Sequence, residues 1–124
     1  MKTDNIIVDK SKAFAIRTIR LFQYLQSEKK EFILSKQFLR SGISIGANIK
    51  ESVNAQSTKD FVSKLRIALK EASEADYWIE LLFETGYITE KEFLSIHTDC
   101  VELIKILISI VNSSDNNKSQ TNEL

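Results

Sequence analysis

Apolar side chains recur along most of the chain at alternating steps of three and four residues, the period of a helix that buries one face. Phe61, Leu65, Ala68, Ala72, Ala75, Ile79 and Leu82 keep this rhythm without a break, and Phe93, Ile96, Cys100, Leu103, Leu107 and Ile110 repeat it in the next segment. Two such heptad faces in succession predict two helices packed in coiled-coil fashion. An earlier helix is predicted over about Asp9 to Ser27, with Phe14, Thr18, Leu21, Phe22 and Leu25 inward. Another is predicted over about Ser35 to Ala55, with Phe38, Ile45, Ile49 and Val53 inward. The expected fold is therefore all-α, an antiparallel up-down four-helix bundle over residues 1–113. Residues 114–124 are polar and without periodicity, so they are expected to form a disordered tail.

Local signals mark the ends of these segments. Thr58 is a plausible N-cap and Gly86 a left-handed C-cap for the third helix. Thr89 and Glu92 have the spacing of a capping box at the start of the fourth. Glu28 to Glu31 read as a charged connector. Gly42 and Gly46 stand inside the second helix, where each costs about 1 kcal/mol relative to alanine; either another backbone passes close by or the helix kinks there.

Composition narrows the class. The chain has 124 residues, enough for one core, with three glycines and no proline. A lone cysteine, Cys100, and the lack of a long apolar leader suit a reducing cytoplasm. The most apolar stretch, Val101 to Val111, is interrupted by Glu102, Lys105 and Ser109, so no membrane span is expected.

Charge is zero overall but unevenly spread. Residues 1–70 hold 14 Lys or Arg against 6 Asp or Glu, whereas residues 71–124 hold 3 against 11. Basic helices can lie beside acidic ones, within the bundle or between subunits, or a basic face can meet an anionic partner. Arg17, Arg20 and Tyr24 on the first helix, Lys36, Arg40 and Lys50 on the second, and Lys59, Lys64, Arg66 and Lys70 on the third mostly point away from the predicted core. Of these, Arg17, Arg20, Lys36, Arg40 and Lys50 are the candidate contacts to RNA or DNA phosphates.

Two helices carry more apolar surface than one stripe. Ile67, Trp78 and Leu81 lie off the heptad face of the third helix, and Val101, Ile104, Ile108 and Val111 widen that of the fourth. Ile67, Trp78, Leu81, Ile104 and Ile108 are the candidate homo-oligomer interface.

No catalytic arrangement is legible. The single histidine, His97, has Leu94 three residues before it, not the glutamate of a di-iron bundle, and Phe93, Glu92 and Lys91 at the positions where helical ribonucleases place arginine. Cys100 sits on the heptad face, as an inert core residue does. There is no phosphate loop, zinc pattern or nucleophile elbow. Neither cofactor nor metal is expected.

The segment from Lys36 to Glu51, KQFLRSGISIGANIKE, together with the run from Phe61 to Leu82 and Gly86-Tyr87-Ile88, resembles the bacterial four-helix-bundle proteins often encoded within intervening sequences of 23S ribosomal RNA genes. The resemblance implies an antiparallel bundle assembling into a ring, usually a pentamer, related to the accessory variability determinant of diversity-generating retroelements. That relative binds nucleic acid and a reverse transcriptase through a basic surface. Its motif falls on Arg40, Ser41, Ser44, Asn48 and Glu51, with Ser52 where relatives often carry glycine. The residues themselves suit structural roles: Asn48 and the serines at tight helix contacts, Arg40 and Glu51 in ion pairs. The expected function is thus a non-enzymatic, pentameric bundle binding RNA or DNA, or else a protein-interaction scaffold without nucleic-acid affinity.

Overall fold

The protein is described from a computed structural model, which covers the backbone of residues 2–123 and the side chains of residues 6–115. Four helices follow one another: α1 (Lys2–Ser27), α2 (Leu34–Val53), α3 (Thr58–Glu84) and α4 (Glu90–Glu123). Each touches its sequence neighbours, α1 also touches α4, and the diagonal pairs do not meet among the described residues. Every seam is antiparallel. Ser11 and Thr18 meet Gly46 and Gly42, Arg40 and Glu51 meet Glu71 and Lys64, and Ala72 and Asp76 meet Cys100 and His97. The all-α up-down bundle read from the periodicity is therefore the fold observed.

The heptad positions form its core. Leu65, Ala68, Ala72, Ala75, Ile79 and Leu82 of α3 are buried against Ile96, Cys100, Leu103 and Leu107 of α4, with Phe38, Ile45 and Ile49 of α2 and Phe14 and Leu25 of α1. Phe14 meets Phe38 edge to face, with centroids 6.5 Å apart. Alanines at the centre of α3 remove side-chain bulk, so neighbouring axes approach closely there.

Several expectations are corrected. α1 starts at Lys2, not near Asp9, and its first turns bury Ile7 and Ser11. α2 stops at Val53, which is exposed at the helix end instead of lying in the core. The N-cap of α3 is Ser57, one residue before Thr58: its extended backbone lets the hydroxyl accept from the Asp60 amide at 3.1 Å. Val111 does not widen an outer face but is buried within the protomer. Ser114 and Asp115 continue α4, while the rest of the expected tail, residues 116–124, lies outside the residues whose side chains are described.

The other terminal signals act as their chemistry requires. Gly86 has φ +86, and the amides of Gly86 and Tyr87 donate to Phe83 and Leu82, the paired bonds of a Schellman motif. Thr89 and Glu92 exchange the two bonds of a capping box, the Thr89 amide to Glu92 Oε1 at 2.8 Å and the Glu92 amide to Thr89 Oγ1 at 3.2 Å.

The α1/α2 connector is more ordered than its charged sequence suggests. Lys30 adopts a left-handed conformation, φ 54, and the Glu31 amide returns to Leu25 at 3.0 Å. The Glu31 carboxylate is buried and accepts from the amides of Ile33, Leu34 and Ser35 at 2.7, 2.6 and 3.0 Å. Ile33, at the N-cap position, has no side chain able to accept a bond. Glu31 satisfies the orphan amides of α2 in its place.

Candidate functional site

The helices surround their core unequally. α1 and α2 close tightly through small residues: a Cβ on Gly42 would lie 2.6 Å from Thr18 Cγ2, and one on Gly46 would lie 3.4 Å from the Ser11 carbonyl. Of the two explanations for these glycines, close approach is the one observed. α1 and α4, by contrast, touch least of the four neighbouring pairs. A groove of about 610 Å³ runs between them, floored by Ile16, Leu21, Ile88 and Ile96 and rimmed by Arg17, Arg20, Tyr24 and Lys91.

Arg17 bridges the groove. Its Nη1 donates to Asp99 Oδ2 at 2.6 Å and to the Ser95 carbonyl at 3.2 Å, and its Nη2 to Ser95 Oγ at 3.0 Å. One step along the seam, Lys10 pairs with Glu102 at 2.5 Å, and that carboxylate raises the Lys10 pKa. Arg20 stays on the rim, exposed, with a long contact to Gln23 of its own helix at 3.4 Å. Tyr24 is exposed beneath Lys29, whose ammonium stands 6.0 Å from the ring centre.

The motif residues of α2 face another seam. Arg40 reaches Glu71 at 3.2 Å and also binds Glu74, both on α3, and Glu51 meets Lys64 at 3.3 Å. Ser41 is buried, its hydroxyl donating to the carbonyls of Gln37 and Phe38. Ser44 donates to the Arg40 carbonyl at 2.6 Å and Asn48 to the Ser44 carbonyl at 2.8 Å. The motif thus fastens α2 to α3 and occupies its polar groups locally, as its residue types suggest. Lys36 and Lys50 are exposed and make no ion pair among the described residues.

These positions do not form one positive face. Arg17 lies in the α1/α4 seam and Arg40 in the α2/α3 seam, on opposite sides of the bundle, and each is matched to carboxylates. Part of the charge asymmetry between the halves of the sequence is expressed as pairing between helices, through Lys10, Arg17, Arg40 and Arg66. This could not be read from the sequence, because it depends on which helices become neighbours.

The candidate interface residues divide in the same way. Ile67 and Ile108 are each 41% exposed, whereas Trp78 and Ile104 pack partly against their own core and Leu81 is half-buried. More exposed apolar groups stand elsewhere, at Ile16, Ile33, Val53, Tyr77 and Leu94. The Trp78 indole N–H is buried without a partner among the described residues.

His97 and Cys100 are both occupied. His97 Nδ1 lies 2.7 Å from Asp76 Oδ1 across α3/α4, and its ring stacks on Phe93, which in turn stacks on Phe83. No hydroxyl or thiol is hydrogen-bonded to its other ring nitrogen among the described residues, so this pair lacks a nucleophile. Burial, with Asp76 and Asp99 nearby, pushes the Cys100 thiol up to about 12, and its Sγ donates to the Ala72 carbonyl at 3.3 Å. A thiol held protonated in this way is a poor nucleophile. Among the described residues there is no group of three or more His, Cys, Asp or Glu able to hold a metal, and no helix is long and apolar enough to cross a membrane.

Comparison with known proteins agrees with this geometry. No match was found among curated proteins. The bundle is similar to the crystal structure of a protein of unknown function from the S23 ribosomal protein family of Bacteroides thetaiotaomicron, with a TM-score of 0.88 and 55% identity over 89% of this chain and 98% of that one. The family model of the 23S rRNA-intervening sequence protein matches residues 3–109. On this match, which takes in the α2 motif and reaches from α1 into α4, the chain belongs to the 23S rRNA-intervening sequence protein family.

Proposed function

We propose that this protein is a non-enzymatic, homo-oligomeric bundle of the cytoplasm that binds the phosphate backbone of RNA or DNA through exposed cations. The observation that carries the proposal is the mixed character of its surface. Exposed cations stand beside exposed apolar side chains: Arg20 beside Ile16, Ile19 and Tyr24, Lys36 beside Phe32 and Ile33, and Lys70 beside Ile67. Apolar groups left at this density in one protomer favour burial against further copies, with a pentameric ring as the expected assembly. The cations that remain outside internal ion pairs attract phosphates through counterion release.

A protein-interaction scaffold without nucleic-acid affinity is the second reading. It is favoured by the ion pairs of Arg17 with Asp99 and of Arg40 with Glu71 and Glu74, which spend two arginines inside the bundle. Salt-dependent binding separates the two. The first reading expects ribosomal RNA to bind at low salt and to be released as salt rises, with binding weakened when exposed cations such as Arg20, Lys36 and Lys50 become glutamate. No retention of RNA by the wild type, even at low salt, supports the scaffold.

A further inference from the structure

A second groove, of about 500 Å³, lies between the first half of α3 and the last described turn of α4, and its three cations all stand on one helix, whereas the three of the α1/α4 groove are divided between two. Lys59, Arg66 and Lys70 are spaced by seven and four residues, which puts them on one stripe of α3 at axial steps of about 10 and 6 Å. The hydroxyls of Thr58 and Ser63 share the lining, Val62 and Ile67 supply apolar walls, and Tyr77, exposed, continues the stripe beyond Lys70. Among the described residues a single carboxylate answers these three cations: Asp115 of α4, paired with Arg66. Lys59 and Lys70 are exposed and make no ion pair among the described residues.

We propose that this groove is a binding site for the phosphodiester backbone of a single-stranded nucleic acid, with Asp115 occupying the place of a phosphate on Arg66 until the strand displaces it. The inference rests on the nucleic-acid reading above and assigns it to residues other than those legible in the sequence. Charge complementarity selects the ligand. A line of cations along one helix meets a ligand whose charges repeat along its length, flanking hydroxyls donate to phosphate oxygens, and an exposed tyrosine at the end of the line offers a stacking surface for a base. A concave trough lined by cations along one helix suits an extended chain and not a flat bilayer.

The test is fluorescence anisotropy of labelled oligo(U) with the full chain at several salt concentrations. Lys59→Glu together with Lys70→Glu is expected to weaken binding at least about tenfold and to lower the salt slope by about two. Asp115→Asn is expected to tighten it about threefold, because the phosphate no longer competes with a carboxylate; a folding defect cannot mimic that gain. If the wild type binds neither oligo(U) nor ribosomal RNA, the nucleic-acid reading itself is overturned; if it binds ribosomal RNA but not oligo(U), the reading stands and this site is overturned. If the wild type binds and the double charge reversal changes nothing, while Arg20→Glu with Lys91→Glu abolishes binding, the reading stands and this site is overturned. Labelled poly-glutamate entering the groove where oligo(U) does not would assign it to an acidic protein partner instead.

Discussion

The α1/α2 and α1/α4 seams use the same helix α1 and are built in opposite ways. Against α2, α1 presents the small residues Ser11 and Thr18 to two glycines, and the backbones close until no further atom fits at Gly42. Against α4 it presents Arg17 and Lys10, which reach Asp99 and Glu102 across a seam that leaves an open groove beside Arg17. Close packing of small groups gains dispersion and excludes water, whereas exposed ion pairs contribute about 1 kcal/mol or less each. The first seam is therefore expected to carry stability and the second to add little to it.

Substitutions can break that contrast. The largest effect is expected for Gly42→Val, whose Cβ alone would overlap the buried Thr18; a loss of about 3 kcal/mol should appear in urea unfolding. Thr18→Ala in the same chain should restore part of it. Stability equal to the wild type would mean that α1 and α2 are not in contact at this point.

Glu31→Ala tests the hinge that sets this seam. Three amides of the α2 start lose their acceptor, so a loss of about 2 kcal/mol is expected by the same measurement. Arg17→Ala tests the open seam, and there the expected loss is about 1 kcal/mol or less, shrinking further in high salt. A loss as large as that of Gly42→Val would reverse the ranking of the two seams. Gly46→Ala has the smallest expected effect, about 0.5 kcal/mol in favour of the variant, because its Cβ meets the Ser11 carbonyl at 3.4 Å while alanine improves helix propensity.

The same contrast explains what could be read from the sequence. Heptad positions, the Gly86 turn, the Thr89 capping box and the glycine-marked close approach are local patterns whose physics is complete within a few residues. The ion pairs of Arg17, Arg40 and Arg66 are not, because their partners lie on other helices. The first turns of α1 were missed for a related reason. Lys2 to Asn5 are polar, and only packing of Ile7 and Ser11 makes a helix there worthwhile. Glu31 is hidden likewise, since a glutamate in a run of charges looks solvated until its carboxylate is seen on three amides. Of the candidate site, the α1/α4 rim residues Arg17, Arg20 and Tyr24 were legible from their shared stripe. The alignment of Lys59, Arg66 and Lys70 under Asp115 required the neighbouring end of α4.

One protomer leaves apolar side chains uncovered on all four helices, including Ile16, Ile43, Ile67 and Ile108, and this surplus underlies both the assembly and the binding surface proposed. Molar mass by light scattering, over a range of protein concentrations, tests it most directly. A stable mass at a multiple of the 14.2 kDa chain is the expected result, and a chain that stays at 14.2 kDa even when concentrated would contradict it.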